Sequence, residues 1–121
     1  MQTSVAMNEP SHIDLAHLDK YVAGDVALRD EILTIFVDQV EFLLEQFNID
    51  QSDEDWRNTA HALKGASRGV GAWALGDLAE EVEGLIEDAP GKLEKRAGLL
   101  VSIRSLAEEI AKEAISIRDA N

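Results

Sequence analysis

The 121-residue chain contains no cysteine, only two prolines and few aromatic side chains, which make up 5% of its residues. Without cysteine there is no disulfide framework and no thiolate metal site, and a reducing compartment is favoured. No apolar run approaches the ~18 residues that a membrane-spanning helix needs. The first twelve residues also lack the basic and apolar regions of a secretory signal peptide. These absences predict a soluble, cytoplasmic protein that does not enter a membrane.

Positive charge is also scarce. Eleven Lys and Arg residues face 24 Asp and Glu residues, which gives a net charge of −13 at pH 7. Such an acidic chain is repelled by phosphate backbones and anionic lipids, so nucleic acid and membrane surfaces are not expected as partners. The charge reverses locally in residues 57–68, which include Arg57, Lys64 and Arg68 and no acid. This segment is either a solvated helix face or a site that binds an anionic group.

Helical periodicity dominates the rest of the sequence. Apolar residues make up 45% of the chain, a globular composition. They recur at intervals of three and four residues in five segments, roughly 12–22, 25–47, 52–70, 73–87 and 93–117. Because short connections make consecutive helices antiparallel, the sequence predicts an all-α fold. We expect an antiparallel up-down-up-down four-helix bundle with an additional short N-terminal helix.

Helix ends are predicted from capping residues. Ser11 and Asp14 resemble a capping box that opens the first helix, and Ser52 and Asp55 resemble another that opens the third. Asp25 is expected to cap the second helix, while the last helix should bury a stripe that begins with Leu93 and Ala97. Residues 1–10 lack periodicity and predict a flexible N-terminal tail, which leaves residues 11–121 as one domain.

One histidine lies off the apolar stripe of the third helix. At about 100° per residue, the side opposite His61 carries Trp56, Thr59, Leu63, Ala66 and Val70. Glu54, Arg57, Gly65 and Arg68 fall within about 40° of His61, and Asn58 and Lys64 within about 60°. His61 is therefore predicted to be exposed, on a face that it shares with all three cations of residues 57–68.

The chemistry of this face suits a phosphoryl group. A neutral imidazole nitrogen is a covalent nucleophile, and Lys64 and Arg68 can neutralise phosphoryl oxygens. Alternatively, the two cations are solvated helix residues that pair with nearby acids. Gly65 costs the helix roughly 0.5–1 kcal/mol relative to alanine. Either it leaves open space beside the imidazole, or it lets a neighbouring helix approach closely.

The stretch His61-Ala62-Leu63-Lys64-Gly65-Ala66-Ser67, followed by Gly71-Ala72, resembles the signature of histidine phosphotransfer (HPt) domains of two-component phosphorelays. The resemblance covers about residues 26–117, and the Val82-Glu83 pair fits its structural tail. It implies a four-helix bundle with an extra N-terminal helix. It also implies that His61 accepts the phosphoryl group, that Lys64 is the basic residue beside it, and that Gly65 exposes the ring.

Members of this family neither bind nor hydrolyse ATP. The resemblance thus implies a phosphocarrier, not an enzyme, that takes a phosphoryl group from a receiver-domain aspartate and passes it to another receiver. Response-regulator receiver domains and a hybrid sensor histidine kinase are the implied partners. The protein is expected to be a monomer without a cofactor of its own, with Mg²⁺ supplied by the receiver.

Docking in the family is apolar around a polar centre. We therefore expect Arg57 and Asn58, together with Ile35 and Phe42 of the second helix, to meet the partner. Two further apolar residues of that helix, Leu28 and Ile32, are at least as well explained by packing against the first helix.

Three other protein classes deserve comparison. A sensor-kinase dimerisation domain has an acid directly after its histidine and a proline soon after, whereas Ala62 follows His61 and no proline is near. A di-metal bundle needs Glu-x-x-His pairs, and Asn58 and Asp14 stand three residues before His61 and His17. The strongest alternative is a non-catalytic interaction module that docks on a receiver or kinase without carrying phosphate. Such a module usually lacks the histidine.

Overall fold

The computed structural model describes residues 11–120, which form five α-helices and no strand. The helices are α1 (Leu15–Tyr21), α2 (Val26–Gln46), α3 (Asp53–Gly69), α4 (Trp73–Glu83) and α5 (Lys92–Asp119). The long helices pack as neighbours in the order α2, α3, α4, α5, and α5 returns to α2. The predicted antiparallel four-helix bundle with an extra N-terminal helix is confirmed. Both the predicted tail, residues 1–10, and residue 121 lie outside the described residues.

Local capping explains where α2 and α3 begin. The Asp25 carboxylate accepts the Leu28 N–H at 3.0 Å, and the Ser52 hydroxyl accepts the Asp55 N–H at 3.1 Å. Each bond satisfies a backbone donor that has no partner inside its helix. The sequence identified both caps. None of the helices in residues 11–120 is long and apolar enough to cross a membrane.

The predicted start of α1 is wrong, because the N-cap is Asp14 alone. Its carboxylate accepts the His17 N–H at 3.0 Å, so the helix begins at Leu15. The backbone N–H groups of His12 and Ile13 instead donate to the Glu113 carboxylate of α5, each at 2.9 Å. This distant carboxylate draws the preceding segment onto α5 and out of helical geometry.

The predicted end of α4 is also wrong, because the helix stops at Glu83 and not at residue 87. Leu85 remains buried, but its carbonyl accepts a hydrogen bond from Arg96 at 3.0 Å. Glu87 adopts a positive φ of 54°, and its N–H donates to the Asp53 carboxylate at 2.9 Å. These contacts with α3 and α5 outweigh the apolar periodicity that favours a longer helix.

A buried arginine accounts for both chain turns at this end of the bundle. Arg96 is 1% exposed, and its guanidinium carbon lies 4.3 Å from the ring centroid of Trp56. It donates to the carbonyls of Ile49, Gln51 and Leu85 and to the carboxylate of Asp53. A buried charge needs such partners to compensate for lost hydration.

The predicted stripe of α5 is wrong at its first two positions, since Leu93 and Ala97 are exposed. Arg96 takes the inward position in that part of the helix. From Leu100 onward the stripe follows the predicted spacing, with Ile103, Ala107, Ile110 and Ala114 buried.

At the other end of the bundle, the turn between α3 and α4 requires glycine. Gly71 has a φ of 80°, and a Cβ added there would lie 2.9 Å from the Cβ of Asp14. The Gly71 carbonyl accepts the Asp14 N–H at 3.0 Å, and the Asp14 carboxylate accepts the indole N–H of Trp73 at the same distance. The segment before α1 is thus fastened onto this turn.

Arg96→Ala should lower the free energy of unfolding by about 3 kcal/mol or more, because several loop carbonyls would lose their donor inside the fold. Arg96→Lys should restore only part of the loss, since an ammonium cannot reproduce the planar fork of a guanidinium. Urea denaturation followed by circular dichroism measures both changes. Arg104→Ala, at an exposed arginine of the same helix, should change stability by less than about 0.5 kcal/mol. Equal losses for Arg96→Ala and Arg104→Ala would show that the buried hydrogen bonds of Arg96 do not stabilise the fold.

Candidate functional site

His61 lies on the outer face of α3, as its helical spacing predicts. Its side chain is 70% exposed, while Trp56, Ala60 and Leu63 of the same helix are buried. Nδ1 of the imidazole lies 2.9 Å from Oε2 of Glu83 on α4. One ring nitrogen is therefore held against the protein, whereas most of the ring remains in contact with solvent.

The Glu83 carboxylate joins two residues of α3. Its Oε1 accepts a hydrogen bond of 2.7 Å from Nζ of Lys64, and its Oε2 faces His61. The hydrogen bond from Lys64 lowers the pKa of Glu83 by more than partial burial raises it. The hydrogen bond with His61 lowers this pKa further. Because an ionised carboxylate only accepts hydrogen bonds, the neutral His61 ring carries its proton on Nδ1. The lone pair is then on Nε2.

Arg68 is held by two acids of α4. Its guanidinium lies 3.1 Å from the Glu80 carboxylate and 3.3 Å from that of Asp77. Its stem crosses Gly76 so closely that a Cβ added there would lie 2.8 Å from Cγ of Arg68. The structure thus has the arrangement that the sequence left as an alternative, in which Lys64 and Arg68 pair with nearby acids. The cationic segment is largely neutralised by α4.

Gly65 has no packing partner. A Cβ added to it would meet no heavy atom within 4 Å, and the residue is exposed. The alternative in which Gly65 lets a neighbouring helix approach is therefore wrong. The glycine leaves open surface one helical turn after His61.

The four predicted docking residues are all exposed. Arg57 and Asn58 lie in the turn before His61. On α2, Ile35 and Phe42 are 57% and 59% exposed, large values for apolar side chains two turns apart on one helix face. Leu28 is also exposed, whereas Ile32 packs against the core.

Sequence reasoning missed the part that Glu83 takes in this site. It is separated from His61 by 22 residues, and the sequence places it only in the structural tail of the HPt pattern. A signal was present: Asp77, Glu80 and Glu83 recur every three residues, beside a buried stripe that includes Ala79 and Val82. An antiparallel α4 would bring such acids to the cations of α3.

Comparison with protein families agrees with this fold. The family model described as Hpt domain matches residues 31–116, well over half of the chain. No curated protein and no solved structure matches it significantly. The chain therefore belongs to the Hpt domain family, and the resemblance seen in its sequence is confirmed. Hpt domains are phosphocarriers with a histidine phosphotransfer role in phosphorelays, where they interact with receiver domains and kinases.

The lowered pKa of Glu83 predicts an acid-sensitive contribution to stability. The ionised carboxylate holds Lys64 and His61. Its contribution to the free energy of unfolding is therefore fully present above pH 4.5, the ordinary pKa, and is lost as the pH falls through the lower pKa that Glu83 has in the folded protein. Glu83→Gln carries no charge at any pH. The difference in unfolding free energy between the unmodified protein and Glu83→Gln should thus shrink as the pH falls below 4.5. Urea titrations at several pH values measure it, and a constant difference would show that the ion pair adds no stability.

Proposed function

We propose that this protein accepts a phosphoryl group on Nε2 of His61 from the phosphorylated aspartate of one receiver domain and passes it to the aspartate of another. One observation carries the assignment of the atom: Nδ1 is engaged by Glu83 on a ring that is otherwise exposed. This leaves Nε2 as the nucleophile that a partner can reach. Membership of the Hpt domain family supplies the class of reaction.

In the proposed step, the lone pair of Nε2 attacks the phosphorus of the receiver's acyl phosphate. The Nε2–P bond forms as the P–O bond to the aspartate breaks, and the aspartate carboxylate leaves with the electron pair. No proton has to move, because Nδ1 keeps its hydrogen. The positive charge that the ring acquires lies beside the ionised Glu83, which stabilises it. Transfer to the second receiver is the reverse reaction.

The neighbouring residues have distinct proposed parts. Lys64 shares the Glu83 carboxylate with the ring, so a small movement of its ammonium would let it donate hydrogen bonds to the phosphoryl oxygens. Arg68 can stabilise these oxygens only by giving up its bonds to Asp77 and Glu80, so we assign it the smaller effect. Gly65 gives the receiver access to the ring, and Arg57, Asn58, Ile35 and Phe42 are the proposed docking residues.

The metal ion for the reaction is proposed to come from the partner. We propose that the receiver supplies Mg²⁺, because His61 and Glu83 offer one imidazole and one carboxylate already bonded to Lys64. Among residues 11–120, no group of three or more His, Asp or Glu side chains could hold a metal ion. The protein is proposed to act as a cytoplasmic monomer without kinase activity, between a hybrid sensor histidine kinase and response regulators.

Radiolabel transfer tests this function. A receiver domain carrying labelled phosphate should label the protein on a bond that is acid-labile and alkali-stable, as in phosphohistidine, whereas labelled ATP alone should not. His61→Gln should remain folded, because the ring lies off the core, and should take no label. His17→Gln is the matched control and should be labelled normally. Labelling of His61→Gln would overturn the choice of His61 as the acceptor. No labelling of the unmodified protein by any receiver of a broad panel would overturn the proposal in favour of a docking module.

Stability and transfer should change in opposite directions at Gly65. Gly65→Ala should raise the unfolding free energy by about 0.5–1 kcal/mol, because alanine loses less backbone entropy on folding. Gly65→Gln should also stay folded, yet its transfer rate should fall sharply because the side chain obstructs the receiver.

Gly98→Gln is the matched control for this substitution, since Gly98 is an exposed glycine of α5 with no heavy atom near an added Cβ. It should keep both its fold and its transfer rate. Thermal unfolding and single-turnover transfer measure the two properties. Normal transfer by Gly65→Gln would contradict the proposed access role.

A further inference from the structure

The three cations on the His61 face differ in whether they are free to act. Lys64 donates to Glu83 at 2.7 Å, and both of these side chains are mostly buried. Arg68 is bound to Asp77 and Glu80 and lies across Gly76. For either cation, contact with an incoming anion means weakening an existing ion pair.

Arg57 has no such partner. It is exposed, and its guanidinium forms no ion pair with any carboxylate of residues 11–120. Two acids lie one turn before it: Asp53 is occupied by Lys92 and Arg96, and the exposed Glu54 forms no ion pair with Arg57. The position one turn after it is His61 itself, which leaves no acid there to bind it. Arg57 is consequently available to a ligand.

Helix geometry also places Arg57 beside the site. Side chains of an α-helix lean toward its N-terminus, so the His61 ring leans toward the turn that carries Arg57, and the long Arg57 side chain leans the same way. Residues four positions apart lie on the same face, with their Cβ atoms about 5–6 Å apart. Gly65, in the following turn, offers no side chain at all.

We propose that Arg57 contacts the phosphoryl oxygens during transfer to and from His61, and that Arg68 mainly fastens α3 to α4. This inference rests on the proposed function. A guanidinium binds two oxygens of a phosphoryl group with its parallel N–H donors. As the Nε2–P bond forms and the P–O bond to the receiver's aspartate breaks, the other phosphoryl oxygens keep their negative charge. Arg57 neutralises that charge without breaking an ion pair.

Single-turnover transfer from a labelled receiver, measured over a range of receiver concentrations, separates contact with the phosphoryl group from docking. Arg57→Ala should lower the rate at saturating receiver by about tenfold or more. Arg57→Lys should recover part of that rate, because it keeps the charge but not the fork. Arg104→Ala, which removes an exposed arginine of α5, is the matched control and should match the unmodified protein.

Three results would overturn the proposal. The first is a saturating rate of Arg57→Ala equal to that of Arg104→Ala. The second is a change in the half-saturating receiver concentration alone, which would limit Arg57 to the docking role proposed above. The third is a larger loss of saturating rate in Arg68→Ala than in Arg57→Ala, compared at equal folded fraction by circular dichroism. Failure of the proposed function is distinguishable, because the unmodified protein would then take no label.

Discussion

The burial of Arg96 fixes the conformation of the segments before α3 and after α4, at the end of the bundle that includes Glu83. Its guanidinium occupies a core position and must find acceptors there, so the segments before α3 and after α4 turn their carbonyls toward it. Trp56 lies against the guanidinium and donates its indole N–H to the Val82 carbonyl at 2.8 Å. Val82 and Leu85 are thereby both fixed, and Glu83 lies between them. The position of the carboxylate that holds His61 follows from this arrangement.

The far end of α3 is fixed by a separate set of contacts. Gly71, Asp14 and Trp73 join the turn after α3 to the start of α1, and Glu113 holds the preceding segment to α5. Helix α3 is thus fixed to other parts of the chain at both ends. A nucleophile on such a helix is already in place when a partner arrives, which lowers the entropic cost of a productive encounter.

Charge on the two helices of the site is arranged in pairs. The chain is strongly acidic overall, yet the acids of α4 face the cations of α3. Glu83 contacts two residues at once: it holds Lys64 through an ion pair, and it orients the imidazole of His61 through Nδ1. Pairing of this kind lets an acidic protein present a nearly neutral surface around His61, the proposed nucleophile. It also leaves Arg57 as the cation without a carboxylate partner among the described residues of α3.

The five helices, two of their N-caps and the exposure of His61 could be predicted from the sequence. These features depend on periodicity and on hydrogen bonds between residues three or four apart, which a single helix contains. Three other features could not be predicted from the sequence: α4 ends at Glu83, Arg96 takes a core position, and Lys64 and His61 share one carboxylate. Each of these depends on contacts between residues far apart in the chain. Helical periodicity identifies the faces of each helix, but a partner for Arg96 or His61 exists only once the helices have packed.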